Sequence, residues 1–282
     1  MVVLYWAGDT RKLSIRKVMT LDSLGACQGV SIQKGTVFLY GDREVGIVRS
    51  FNMQQDTLAY LHHEMRLTVN GKNVINHPTG IAWNGGKEIF MGNSVRLNKE
   101  GTKWKAYIYL IDWPGLQKTG TLDGNLLKTI DDDACIQGTR PEYVQINAKW
   151  YVATADYGNH GNEVRFYDAG RLRQAARTSE PGVLYKKFTC GPWVQNLFWM
   201  KESSTLVLIQ NQTEGKRWRL SFVDLQASLT AGKEVDKQVI DLNTKADELE
   251  GFAFLESHRT AVAVTSSRKE NVTLLDNTNT YE

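Results

Sequence analysis

The sequence predicts an all-β fold of five four-stranded units, and three observations carry that prediction. A short apolar strand opened by a polar residue recurs five times: at Gln28 in CQGVSI, Thr79 in PTGIAW, Glu142 in PEYVQI, Gln195 in VQNLFW and Glu250 in LEGFAF. The intervals are 51, 63, 53 and 55 residues. A second strand follows each (TVFLYGD, EIFMGN, WYVATAD, LVLIQN, AVAVTS), ending on Asp42, Asn93, Asp156, Asn211 and Ser266. A third closes on an acidic or amide turn residue, at Asn52, Asp112, Asp168, Asp224 and Asp276. Three markers in one register over five units define a repeat.

Each element follows from local pattern. HPTGIAWNGGKEIFMGN (77–93) shows the unit in full: alternating Ile81 and Trp83, a Gly85-Gly86 turn, then Ile89 and Met91. Period-2 alternation with β-branched and aromatic residues marks strands rather than helices. More polar fourth strands lie at 60–69 and 183–188. Four-stranded units repeating every fifty-odd residues are the pattern of β-propeller blades, each burying a face against the next. The last unit runs out after Asp276 without an outer strand, and residues 13–18 (LSIRKV) have the pattern to supply it. The chain ends are therefore expected to share one closing blade, which removes an open sheet edge. Val2 to Trp6 are a candidate extra strand there. Five blades are predicted, with six as the alternative.

Composition sets limits. The 282 residues, 41% hydrophobic and 23% charged with no Pro/Ser-rich linker, suit one domain over residues 1–282. No apolar run is long enough to span a membrane. MVVLYWAGD lacks the length and flanks of a signal peptide, and a leader removed upstream would leave a secreted or periplasmic location open. A net charge of +3 argues against a nucleic-acid binder. Cys27, Cys135 and Cys190 form no Cys-x-x-Cys pair and read as buried thiols. Asn211-Gln-Thr and Asn271-Val-Thr match the glycosylation sequon. A monomer is expected.

Propeller topology gathers the polar markers. Neighbouring strands run antiparallel, so the start of strand one and the end of strand two share one end of a blade. Gln28, Thr79, Glu142, Gln195 and Glu250 should ring one channel mouth, with Asp42, Asn93, Asp156, Asn211 and Ser266 a step further out. Gln28, Thr79, Glu142, Gln195, Asp42, Asn93 and Trp193 are the candidate ligand-binding residues. Glu142, Glu250, Asp156 and Asn211 offer the oxygen ligands of a divalent cation, calcium or zinc. Such strand-end residues equally serve as turn caps facing a water-filled channel. His77, two residues before Thr79, is the candidate acid/base, although a lone His is more often structural. The loops joining strands two and three carry nine basic and five acidic residues, a basic rim whose charges also serve solubility. Trp104, Trp218 and Trp193 lie beside it and suit sugar-like or planar ligands.

Other motifs are absent or bland. There is no Walker loop and no Gly-x-Ser-x-Gly elbow. His63-Glu64-Met65-Arg66-Leu67 lacks the second His of a zinc protease. Asp131-Asp132-Asp133 reads as a solvated turn. The loop from Asp156 to Glu163 is the best ligand-loop candidate outside the ring.

HPTGIAWNGGKEIF and ELEGFAF resemble blade openings of the propeller superfamily that contains senescence marker protein/gluconolactonase, strictosidine-synthase-like and NHL-repeat proteins. In the lactonase branch such openings hold a divalent cation that polarises a lactone carbonyl. Glu250 matches the Glu-Gly opening, while Thr79 stands where Asn is the rule, and Tyr143 and Asn196 replace the following Gly. That family is usually six-bladed. Two functions stay open. One is a small polar or anionic ligand bound at the mouth, with metal-assisted hydrolysis if the protein is an enzyme. The other is a non-catalytic scaffold whose rim holds a protein or glycan partner.

Overall fold

The computed structural model of the chain describes residues 10–100, 103–135, 138–211, 217–242, 247–255 and 258–280. Five four-stranded antiparallel sheets form the blades of a β-propeller. Blade 1 comprises Cys27–Gln33, Thr36–Asp42, Gly46–Gln54 and Thr57–Arg66; blade 2, Pro78–Ala82, Glu88–Arg96, Trp104–Asp112 and Leu126–Asp131. Blade 3 comprises Glu142–Ile146, Lys149–Ala155, Glu163–Asp168 and Leu184–Thr189; blade 4, Val194–Met200, Thr205–Asn211, Trp218–Asp224 and Asp236–Leu242. Blade 5 is composite: Leu249–Phe254, Thr260–Thr265 and Val272–Thr280, with Thr10–Met19 as the outer strand.

The predicted closure is present in register, from Thr10 opposite Thr280 to Met19 opposite Val272. Arg16 at its bulge ties four parts of the seam together, reaching Asp276, Asp56 at 3.2 Å and the Thr260 hydroxyl at 3.2 Å. The candidate strand at Val2 to Trp6 lies outside the described residues.

The second strands read as continuous apolar runs because both of their faces are buried. In blade 4, Leu206 and Leu208 pack toward blade 3, while Val207 and Ile209 pack toward blade 5. Side chains alternate across a strand, so each apolar run feeds two interfaces at once. Five apolar clusters result, one between each pair of neighbouring blades.

The acidic ends of the third strands do more than turn the chain in three blades. Asp112, Asp168 and Asp224 cap short helices, α1 (Trp113–Thr119), α2 (Ala169–Gln174) and α3 (Leu225–Ala231), accepting from Gly115 N, from Gly170 N and Arg171 N, and from Ala227 N respectively. Gly120 and Gly232 end α1 and α3 in the left-handed conformation. These helices were not expected from the strand periodicity.

Several smaller expectations change. Asp132 is buried rather than solvated, accepting from the Tyr167 and Thr178 hydroxyls at 2.8 Å each. Burial pushes its carboxyl above the ordinary range against those hydrogen bonds. Trp218 is buried too, its indole N–H donating to Asp247 O at 2.9 Å, so it is no rim aromatic. The sequon residue Asn271 is buried and bonded through both amide atoms to Leu21. All three cysteines are free thiols. No helix is long and apolar enough to cross a membrane.

Candidate functional site: the channel mouth

The mouth is shaped by β-bulges. Pairing between the first two strands slips at Cys27/Gly29, Pro78/Ile81, Val194/Asn196 and Leu249/Gly251. Gln28, Thr79, Gln195 and Glu250 sit in those slips, freed from the ladder, and all four are buried. A bulge re-aims a side chain at the end of a sheet, which is why polar residues are tolerated there.

Blade 3 departs from this pattern. Its ladder begins at Glu142 opposite Ala153 without a slip. Thr139 is the residue level with the other four. The Thr79 hydroxyl donates to Thr139 O, just as Arg140 Nε donates to Gln195 O at 3.1 Å and Asn196 Nδ2 to Glu250 O at 3.2 Å. A side chain from one blade thus holds the opening carbonyl of the next. Glu142 lies three residues beyond Thr139 and is the first residue of the strand itself. It lines the same channel as Glu250, since both carboxyls act on the Tyr40 phenol. That phenol lies across Gly29, where a Cβ would come within 2.1 Å of its oxygen, and accepts from Asn196 Nδ2 at 2.8 Å.

Five side chains from blades 3 to 5 converge at the opening. Arg140, buried, also reaches Gln195 Oε1 at 3.3 Å and lies over the Tyr157 ring at 5.3 Å. Gln195 Nε2 donates to Glu248 at 3.3 Å and to Glu250 at 3.4 Å, and the Tyr157 hydroxyl reaches Glu248 at 3.3 Å. Burial, reinforced by the neighbouring Glu248 carboxylate, pushes Glu250 well above the usual carboxylate range, and Arg140 opposes this without reversing it. Burial raises Glu142 in the same way, with only the Tyr143 N–H acting against it. Burial lowers Arg140, but a guanidinium stays charged after such a shift.

The other side of the mouth belongs to blades 1 and 2. His77 Nδ1 lies 3.1 Å from Asp42 Oδ2, and the His77 backbone N–H donates to Asn93 Oδ1 at 3.0 Å. The pairing orients the imidazole as a carboxylate does in an acid–base pair. Asp42 also accepts from Ala26 N at 3.2 Å, and its charge is felt by Glu250. The two halves therefore face one mouth.

The proposed cation ligands go separate ways. Asp156 is held by Arg165 at 2.8 Å, Asn211 Oδ1 accepts from Leu249 N at 2.7 Å, and Glu142 Oε1 accepts from Tyr143 N at 3.0 Å. Among the described residues no group of three or more His, Cys, Asp or Glu is disposed to hold a metal ion. Asp42, Asn93 and Asn211 instead accept backbone N–H groups at the strand openings, as turn and cap residues do. Trp193 packs edge-on against Tyr157, with ring centroids 5.0 Å apart. The Trp193 backbone N–H donates to Gly158 O at 2.9 Å, so the loop after Asp156 serves as the seat of blade 4's opening.

Not every polar atom here is satisfied. Ser94 Oγ, Trp193 Nε1, Asn211 Nδ2 and Thr265 Oγ1, all at the mouth end, are buried without a hydrogen-bond partner among the described residues. Each such atom costs about 1–3 kcal/mol unless water or a ligand meets it.

Sequence reasoning missed Arg140, Thr139 and Glu248. Thr139-Arg140-Pro141 runs parallel to Thr79-Gly80-Ile81 and was readable as blade 3's opening. The apolar strand after Glu142 was the stronger signal.

The fold and the polar mouth define a five-bladed β-propeller. No protein-family model and no curated protein matches the chain. The resemblance to the gluconolactonase superfamily thus reaches the propeller architecture and no specific family. Among solved structures, the chain is similar to MPT-4, a mannose phosphorylase from Leishmania mexicana in complex with phosphate ion, at TM-score 0.52 and 11% identity, over 95% of this chain and 92% of that one. It is also similar to the C-terminal WD40 domain of Sif2, at TM-score 0.46 and 8% identity over 95% and 99% of the two chains. A third is the Myceliophteria thermophila Cps50 (Swd1) β-propeller domain, at TM-score 0.41 and 15% identity over 90% and 65%. The chain spans less than two thirds of that domain's chain, and 63% of the matched chain from a mitotic checkpoint complex. These likenesses concern the fold.

Proposed function

We propose that the channel mouth binds a small polar or anionic ligand of the sugar-acid or lactone kind. Arg140, Gln195 and Tyr157 supply hydrogen bonds and charge on one side, and the Asp42–His77 pair faces them. The observation that carries this reading is the buried Arg140 guanidinium joined through Gln195 to Glu248 and Glu250, at the end of the blades where Ser94, Trp193, Asn211 and Thr265 each hold a buried polar atom without a hydrogen-bond partner among the described residues. Each unmet buried polar atom calls for a partner, and carboxyls displaced by burial cluster at functional sites. Should the site turn over its ligand, His77 oriented by Asp42 is the proton carrier, and Glu250, whose carboxyl burial pushes above the usual range, is the candidate second acid.

The test is thermal shift and calorimetry against aldonic acids, aldonolactones and hexose phosphates. A saturable ligand is expected to raise the melting temperature. The shift should vanish in Gln195→Ala, whose amide joins Arg140 to the two glutamates. In His77→Ala, lactone opening followed by acid release should fall while binding persists. Absence of any saturable binder across the panel, or binding indifferent to Gln195→Ala, would remove the proposal.

A further inference from the structure

On the face opposite the mouth, a groove of about 410 Å³ runs between blades 1 and 2. Two hairpin turns and the start of α1 form it: Lys34 with Thr36 from blade 1, Gly85-Gly86 from blade 2, and Trp113-Pro114. Its floor is apolar, built from Phe38 and Trp113, whose rings meet edge to face at 5.1 Å. The Trp113 N–H donates to Gln33 Oε1 at 2.7 Å, so the floor is fixed in place. One wall is the half-exposed Trp83, pinned by its own indole N–H to Gly86 O at 2.9 Å.

Lys34 and Lys87 stand exposed along this groove, and no carboxylate lines it. Neither lysine forms an ion pair with a described residue, and the Lys34 ammonium lies 5.9 Å from the Trp83 ring centroid. A surface that sets two exposed lysines, one of them over Trp83, beside fixed aromatic rings is complementary to a chain carrying carboxylates beside a bulky apolar side chain. We propose that this groove docks an extended acidic peptide segment of a partner protein, its apolar residue on Trp83, Trp113 and Phe38 and its carboxylates on Lys34 and Lys87. The glycine turn leaves main-chain groups in reach of the peptide backbone, because a Cβ at Gly85 would meet nothing within 4 Å. The groove takes only a few residues, so the interaction is of the weak, salt-sensitive class.

The experiment is selection of a random heptapeptide phage library on the full chain, followed by fluorescence polarisation with the selected peptides. Enrichment of Asp or Glu adjacent to Phe, Trp or Leu is expected. Affinity should fall at least tenfold in the surface variant Lys34→Glu/Lys87→Glu, which disturbs no buried contact, and also with added salt. It should be unchanged in Gln195→Ala at the mouth, which separates this site from the ligand site proposed above. Selected peptides without acidic enrichment, binding that survives the double charge reversal, or displacement by free glutamate alone at equal concentration would overturn the proposal.

Discussion

Removal of the Asp156 carboxylate probes how the mouth is held. Asp156 and Arg165 form an ion pair at 2.8 Å with side chains only 5% and 7% exposed. Asp156→Ala strands the guanidinium in a dry site beside the Cys135 sulfur at 3.5 Å. Breaking a buried pair from one side costs about 3–5 kcal/mol, because the remaining charge keeps its desolvation penalty without its partner. Arg165 retains Glu163 at 3.2 Å, which places the expected loss at the lower end, about 3 kcal/mol. Urea denaturation monitored by tryptophan fluorescence measures this as a fall in midpoint at constant slope. The companion Asp156→Ala/Arg165→Met removes the stranded cation and is expected to regain a substantial part of the loss. A loss below about 1 kcal/mol for Asp156→Ala, or a double variant less stable than the sum of the singles, would refute the argument that the pair is desolvated and mutually dependent.

Three further outcomes are expected. Gly251→Ala should destabilise by about 2–3 kcal/mol in thermal or urea melts, because its Cβ would lie 2.7 Å from the Gly29 Cα, backbone that cannot swing aside. Glu142 binds its proton more tightly folded than unfolded, so the stability of its neutral form is complete below the ordinary carboxyl value of 4.5 and declines as pH rises toward its higher folded value. Glu142→Gln should therefore raise the melting temperature at pH 8 and leave it unchanged at pH 4, and an equal effect at both would contradict the burial assigned to it. Burial lifts the Cys27 thiol to about 12 and raises Cys135 and Cys190 as well. A disulfide reagent at pH 8 should thus label none of the three in the native protein and all three in 6 M guanidinium chloride, a concentration of the order that unfolds even hyperstable domains.

Reading strands from this chain succeeded where the signal is local. LVLI and AVAV are strands whichever neighbours they meet, and their paired burial in two interfaces follows from side-chain alternation. The helices α1 to α3 escaped because six or seven residues carry too little periodicity, although Asp112-Trp113-Pro114 and Asp168-Ala169-Gly170 hold the cap signals. At the candidate site, Gln195 and Glu250 are legible from the repeat because each opens an inner strand, and Asp42 because it ends a second one. Arg140 was passed over because nothing in its neighbours along the chain announces that its side chain reaches a carbonyl 55 residues away.

From its sequence alone the protein reads as a wheel of four-stranded sheets, five with six as the alternative, closed by residues 13–18 beside the last unit; the structure has five and extends that closure to residues 10–19 against 272–280. That reading follows from repetition and strand period, which are properties of short stretches. Only the tertiary structure decided which polar groups meet. The bulges re-aim Gln28, Thr79, Gln195 and Glu250, blade 3 opens without a slip at Glu142 with Thr139 carrying the interblade hydrogen bond, and Arg165 pairs with Asp156. The reason is physical. Burial and pairing depend on distances across blades, and a shift of a single residue in one strand turns its side chains to the other face without changing the pattern that predicts the strand.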